Sequence, residues 1–217
     1  IDGDIVYFDP AWVLEMVAKA PSEFTFHARN PEHSFIVGGA HSVFLPVQGA
    51  PFVRRAHERR DAELRDVEDI MRLAHVTPEY DLPGMWPCEP NDRPLDSRHL
   101  DVLRANVTLT DKALGTHAIS VASAADGLAV ARIVFGDRVD REVVTYTNIN
   151  ANSPLVYDER MLDALIIYAM AGQPVLVVPF LLMGAMAPAS TPAALAQQFA
   201  EGLTGIALIQ AITPGCP

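Results

Sequence analysis

The chain has 217 residues, half of them hydrophobic, and a formal net charge of −11 with no long Lys/Arg run. This composition supports a substantial buried core and argues against disorder, while the acidic balance argues against a nucleic-acid-binding surface. The two cysteines, Cys88 and Cys216, supply neither a disulfide framework nor the paired spacing of a zinc site.

The chain opens at Ile1-Asp2-Gly3 with no basic n-region, no apolar h-region and no initiating Met. No secretion signal is expected, and the native N-terminus is expected to lie upstream. The longest apolar stretches, Val175–Val178 and Phe180–Met183, are interrupted by Pro179 and Gly184 and are too short to span a bilayer. A cytoplasmic protein without a membrane span is the expectation.

Asp9-Pro10 reads as a helix start, Asp as the N-cap and Pro in the first turn. Trp12, Val13, Met16 and Val17 then repeat at helical spacing until Pro21. From Phe24 the pattern becomes β-like: Phe24–His27, Ser34–Val37 and Ser42–Leu45 are short segments separated by Asn30-Pro31 and Gly38-Gly39. They predict a small antiparallel meander. Arg59 to His75 predicts an amphipathic helix, with Leu64, Val67, Ile70, Met71 and Ala74 as its apolar stripe.

Strand and helix patterns then alternate at roughly 30 residues per unit, the size of a βαβ repeat. The predicted strands are Leu82–Trp86, Ala113–Ile119, Glu142–Ile149 and Pro174–Pro179. The predicted helices are Ser97–Leu109, Ser123–Phe135, Asp158–Ala171 and Thr191–Ile212, the second with Ser123 and Asp126 at capping-box spacing. Four such units are half of a (β/α)₈ barrel. The expected fold is therefore α/β, a partial TIM-type barrel over residues 77–217, preceded by a helix and antiparallel β region over residues 1–76. An open doubly wound sheet shares the alternation. However, no G-x-G-x-x-G follows a strand and no G-x-x-x-x-G-K-[ST] occurs, so its nucleotide-binding versions lose support.

Longer motifs narrow the choice. Asn150-Ala151-Asn152-Ser153-Pro154-Leu155 runs into Tyr157-Asp158-Glu159-Arg160-Met161-Leu162. Further on come Ala171-Gly172-Gln173-Pro174-Val175, Pro179–Pro188, Ala194-Leu195-Ala196-Gln197-Gln198 and Pro214-Gly215. Phe24–Glu32, Val37-Gly38-Gly39, Arg98–Asp101 and Ala131–Gly136 extend the match. Together these segments resemble the trimethylamine methyltransferase family, corrinoid-dependent enzymes acting on methylated amines. The resemblance covers essentially the whole chain and implies a TIM-type barrel. It also implies methyl transfer from an amine such as glycine betaine or trimethylamine to the cobalt of a corrinoid on a separate protein, as in methanogenesis-type methyl transfer. Members are about twice this length, so the chain reads as a fragment, inactive alone, of an enzyme that is expected to be a homo-oligomer. The position of a pyrrolysine, where a member has one, would lie beyond Pro217.

Barrel enzymes place their sites at the C-terminal ends of the strands. That rule selects Trp86, Cys88 and Glu89, then His117 and Ser120, then Asn148, Asn150, Asn152 and Ser153, then Phe180, Met183 and Ser190. Glu89 could balance a trimethylammonium charge or be a solvated loop acid. Trp86 and Phe180 could offer ring faces to a cation, worth roughly 0.5–2 kcal/mol each, or pack the barrel core. The Asn148/Asn150/Asn152/Ser153 cluster could bind a substrate carboxylate or the corrinoid edge, or simply hold its loop, since Asn and Ser favour turns. His117 could be a polar contact, a proton shuttle or a structural residue. Cys88 lacks a visible base and reads as an inert thiol. No reacting group is assigned.

Two other classes are weighed. A lyase or aldolase barrel would need a Schiff-base lysine, and the only lysines, Lys19 and Lys112, do not end a predicted strand. A truncated, non-catalytic homologue serving as a binding or assembly module is the second alternative.

Overall fold

A computed structural model describes residues 2–217. Helix α1 (Pro10–Val17) starts where the Asp-Pro pair predicts it, with Asp9 accepting the Ala11 N–H at 2.8 Å. Two antiparallel hairpins follow in place of one meander. Strand β1 (Glu23–Phe26) pairs with β2 (Phe35–Gly38), and β3 (Phe52–Arg55) pairs with β4 (Glu58–Asp61). Ser42–Leu45 is not a strand. Phe44 is instead tied to Asp81, donating its N–H to Oδ2 at 2.8 Å and accepting the Asp81 N–H at 2.9 Å.

The second hairpin takes residues expected to be helical. Arg59–Asp61 lie in β4, and helix α2 spans Leu64–Val76. The chain turns at Ala56, with φ 52°, and Arg59 then lies 3.7 Å above the Phe52 ring. Arg60 grips Asp66 through two bonds of 2.7 and 2.8 Å. The same carboxylate accepts the Glu63 N–H at 2.9 Å, closing a capping box that fixes the helix start.

Leu82–Trp86 is buried but forms no strand. Pro83 and Pro87 have no N–H to offer a ladder, and Gly84 adopts φ +86°. Side chains hold the segment instead. Gln48 Oε1 accepts the Trp86 N–H at 2.8 Å, and Asn106 donates to the Gly84 carbonyl at 3.3 Å.

The other three predicted strands are present. Strands β5 (Leu114–Gly115), β6 (Thr145–Asn152) and β7 (Val175–Phe180) form one parallel sheet in the order β5-β6-β7. Helix α3 (Arg98–Leu109) precedes β5. Helices α4 (Val121–Phe135), α5 (Glu159–Met170) and α6 (Thr191–Ile212) alternate with the strands and follow β7. The start of α4 lies ahead of the predicted box, with Ser120 as N-cap accepting the Ser123 N–H at 3.2 Å.

Strand β6 starts three residues later than expected, and Gln173 explains why. Its Oε1 accepts the Val144 and Thr145 N–H groups at 3.0 and 3.2 Å, while Nε2 donates to the Val139 and Glu142 carbonyls at 2.8 and 2.9 Å. The lead-in is therefore satisfied by a side chain, and strand pairing begins beyond it.

Helices cover one face of the sheet. Ile149 and Val175 pack with Ala164, Leu165 and Tyr168 of α5 and Ile209 of α6, while Leu114 packs with Ala131 and Phe135 of α4. On the opposite face Tyr146 joins a second core with Phe26, Val67, Met71, Met85 and Trp86. Beyond Tyr146 this face is open: Leu176, Val178 and Phe180 of β7 are 48%, 39% and 61% exposed. No helix of the described residues is long and apolar enough to cross a membrane. The described residues thus form a mixed α/β fold with three small sheets, one of them parallel.

Candidate functional site

Alternation along a strand sends successive side chains to opposite faces. In β6, Thr145, Thr147, Ile149 and Ala151 are buried toward the helices. Tyr146, Asn148, Asn150 and Asn152 therefore share the other face. The register pairs Gly115 with Tyr146, which carries His117 to the level of Asn148. It also pairs Asn152 with Phe180. Asn150 and Asn152, expected beyond the strand, are consequently strand residues with Asn148 on the face that the helices leave open.

Trp86 reaches this face from the irregular segment before α3. Its ring stacks on His117 with centroids 4.6 Å apart and planes 28° from parallel. Such offset pairs contribute about 0.5–1.5 kcal/mol beyond their buried area. Arg98, the first residue of α3, holds its guanidinium carbon 5.8 Å from the Trp86 ring centroid. Glu89 is 3.1 Å from Arg98 Nη2, so it is an ion-paired acid rather than a free loop carboxylate. Next along α3, His99 Nε2 meets Asp126 Oδ2 at 2.8 Å.

Burial pushes the His117 imidazole down to a pKa of about 4. The Asn148 side chain opposes that shift, and the charges on Arg98 and His99 add to it. At neutral pH the Trp86–His117 stack is therefore uncharged. Burial pushes the Tyr146 phenol far above its ordinary value. Room for that ring exists because Gly115 has no side chain: a Cβ there would lie 2.8 Å from Met85 Cβ and 2.9 Å from Tyr146 Cε1. Three polar atoms in this region are buried without a hydrogen-bond partner among the described residues: Trp86 Nε1, Tyr146 Oη and Glu89 Oε2. Unpaired buried groups are costly and rare in folded proteins, so Trp86 Nε1 and Tyr146 Oη each ask for a partner, while Glu89 Oε2 meets the Arg98 charge without an aligned bond.

Trp86, Glu89, His117 and Asn148 thus come together. The other three sequence-selected residues lie apart. Asn150 is half-buried farther up β6. Asn152 donates its amide to Asp158 Oδ2 at 2.8 Å, supporting the α5 N-cap. Phe180 stands at the end of β7, two strands away and four residues beyond the His117 level. That offset is roughly 10 Å across and 13 Å along the sheet. Trp86 and Phe180 therefore do not face one another as two walls of one cage. Ser153 donates to Glu201 Oε2 at 2.6 Å and is occupied in holding its loop. Cys88 is fully buried and burial pushes its thiol up to about 12, an inert state.

The sequence gives no sign of Arg98, which lies in a helix cap region without special spacing. Nor does it show a second group at the other end of β5. There Asp111 Oδ1 meets His33 Nδ1 at 2.8 Å and His75 Nδ1 at 3.5 Å. Beside it the buried Lys112 ammonium donates to the carbonyls of Ala74, Thr77 and Tyr80 at 2.8, 2.8 and 2.5 Å. His33, His75 and Lys112 border a cavity of about 240 Å³. A larger one, about 360 Å³, lies between the second hairpin and α2. Neither cavity is bordered by Trp86, His117 or Asn148. Among the described residues no cluster of three or more His, Cys, Asp or Glu side chains is arranged to hold a metal ion.

An uncharged stack, a row of amides and an arginine paired to Glu89 thus gather on and beside the open face of β6. The family model for trimethylamine methyltransferase (MTTB) matches residues 1–217. The chain belongs to that family. Glycine betaine methyltransferase from Desulfitobacterium hafniense (strain Y51) is 40% identical over 220 residues, covering all of this chain and 46% of that protein. The chain therefore spans about half the length of the curated relative it matches.

Proposed function

We propose that the protein containing this chain moves a methyl group from a small methylated amine, glycine betaine first and trimethylamine second, to the cobalt of a corrinoid carried by a separate protein. The three-stranded parallel sheet is then an arc of a TIM-type barrel. The observation that carries the reading is the character of the open face: an uncharged Trp86–His117 stack beside Asn148, with the neighbouring Arg98 paired to Glu89. A quaternary ammonium has no N–H and no titratable proton. Its site must work through ring faces, shape and balanced charge rather than through a general base.

The corrinoid supplies the nucleophile and the protein supplies orientation. Phe180, Leu182 and Met183, all more than half exposed at the strand end, form an apolar rim that suits a macrocycle brought in from outside. The stacked Trp86 and His117 form an uncharged floor. Asn148 and Asn150 give fixed dipoles without net charge.

The test is methyl transfer by the full-length protein to reduced cob(I)alamin on its carrier, followed by the absorbance change on methylation. Transfer from glycine betaine is expected. Absence of transfer from every methylated amine, with a competent corrinoid partner present, would overturn the reading.

A further inference from the structure

We infer that Arg98 and the Trp86 indole N–H together receive the carboxylate of a carboxylate-bearing methylated amine, and so select it over amines that lack the group. The inference rests on the methylated-amine reading and adds to it the two residues that set specificity.

The first observation is an unpartnered donor. Trp86 is 4% exposed, and its Nε1 is bonded to nothing among the described residues. An indole nitrogen only donates, so the missing partner is an acceptor. The second is a cation with unused capacity. Arg98 is 19% exposed at its side chain and lies 3.1 Å from Glu89 Oε2, yet that oxygen accepts no aligned hydrogen bond. The pair neutralises charge without using the guanidinium's directional donors, five of which sit in a fixed fork matched to a carboxylate. The third is proximity. The Arg98 guanidinium carbon is 5.8 Å from the Trp86 ring centroid, so the cation and the indole are neighbours.

Orientation follows from charge. A trimethylammonium group is repelled from Arg98 and drawn toward the neutral end of the face, where Asn148 and Asn150 stand. The carboxylate then fixes one end of the substrate while its methyl groups point up the open face. Glu89 keeps Arg98 from over-attracting simple anions when no substrate is bound. His117, uncharged at neutral pH, adds no second cation.

Calorimetric titration of the full-length protein at pH 7.5 with glycine betaine and with tetramethylammonium separates the outcomes. Trp86→Phe, Arg98→Met and Arg98→Lys are compared with the wild type, and a thermal melt of each confirms folding. Both Trp86→Phe and Arg98→Met should weaken glycine betaine about tenfold or more, as expected for lost bonds to a charged group. Tetramethylammonium should change by less than about twofold, because it makes no such bond. Arg98→Lys should recover part of the loss and serves alone if Arg98→Met fails to fold. Equal losses on both ligands, or none, overturn the inference and leave the methylated-amine reading in place. A wild type that binds no methylated amine removes that reading and this inference together.

Discussion

The Ser153 hydroxyl donates to Glu201 Oε2 across 2.6 Å, fastening the loop after β6 to the middle of α6. Leu155 N–H and Gln197 Nε2 donate to the other oxygen at 2.9 and 3.0 Å. Glu201 is 2% exposed, so its charge is met by three donors rather than by a cation. Glu201→Ala should leave those donors unpaired and cost about 2–4 kcal/mol. Amide hydrogen exchange should show the loss of protection centred on Leu155. Unchanged protection there would mean that the clamp does not hold the loop.

Asn148 and Asn152 share a face but not a fate. Asn152 is spent on Asp158 at the start of α5, so Asn152→Ala should lower stability by about 1 kcal/mol and leave ligand affinity nearly unchanged. Asn148→Ala should do the reverse, weakening substrate binding with little change in the melting curve. Calorimetry and urea melts on both variants separate the two.

His117 gives the protein an acid limit. Its pKa is depressed to about 4 in the folded chain against about 6.5 in the unfolded one. Between those values the unfolded state binds the extra proton, so stability is full above about pH 6.5 and falls as pH drops toward 4, by roughly 3 kcal/mol in all. Urea midpoints of wild type and His117→Gln from pH 4.5 to 8 should converge as the pH falls. Parallel curves would remove His117 from the acid response.

Lys112 closes the C-terminal end of α2 by donating to three carbonyls at once, two of them, Thr77 and Tyr80, in the turn beyond the helix. Lys112→Met keeps the apolar stem but strips all three partners, and should cost about 2–4 kcal/mol. Burial lowers the Lys112 pKa, with Asp81 and Asp111 opposing. Its folded pKa therefore lies below the unfolded value. Its titration therefore lowers stability as pH falls from the unfolded pKa through the folded one. A wild-type-like melt for Lys112→Met would show the carbonyls to be satisfied by water.

Caps made most helices legible. Asp9-Pro10 and Thr191-Pro192 mark helix starts in sequence and in structure, with Ser190 taking the N-cap in the second case. Asp158 was readable too, and it accepts the Met161 N–H at 3.0 Å. Arg59–Asp61 misled because a charged run fits a helix face as well as an exposed hairpin. Only the Phe52–Arg59 and Arg60–Asp66 contacts decide between them. The placement of the asparagines could have been read: Asn148, Asn150 and Asn152 alternate with Ile149 and Ala151 at a strand's period of two. Trp86 over His117 could not, since 30 residues and an irregular segment separate them. The same holds for His33 and His75 on Asp111, which have no shared spacing.

Helix α1 packs against α6, and this contact sets a clock on synthesis. Most of the parallel sheet can assemble as it emerges, because each strand pairs with the one made just before it. Ile5, Val6 and Tyr7 before α1 and Leu14 within it are exposed apolar residues. The helix waits for a partner made roughly 170 residues later, on the order of 10–30 s at ribosomal rates. During that interval α1 is a natural ligand for whatever guards emerging chains.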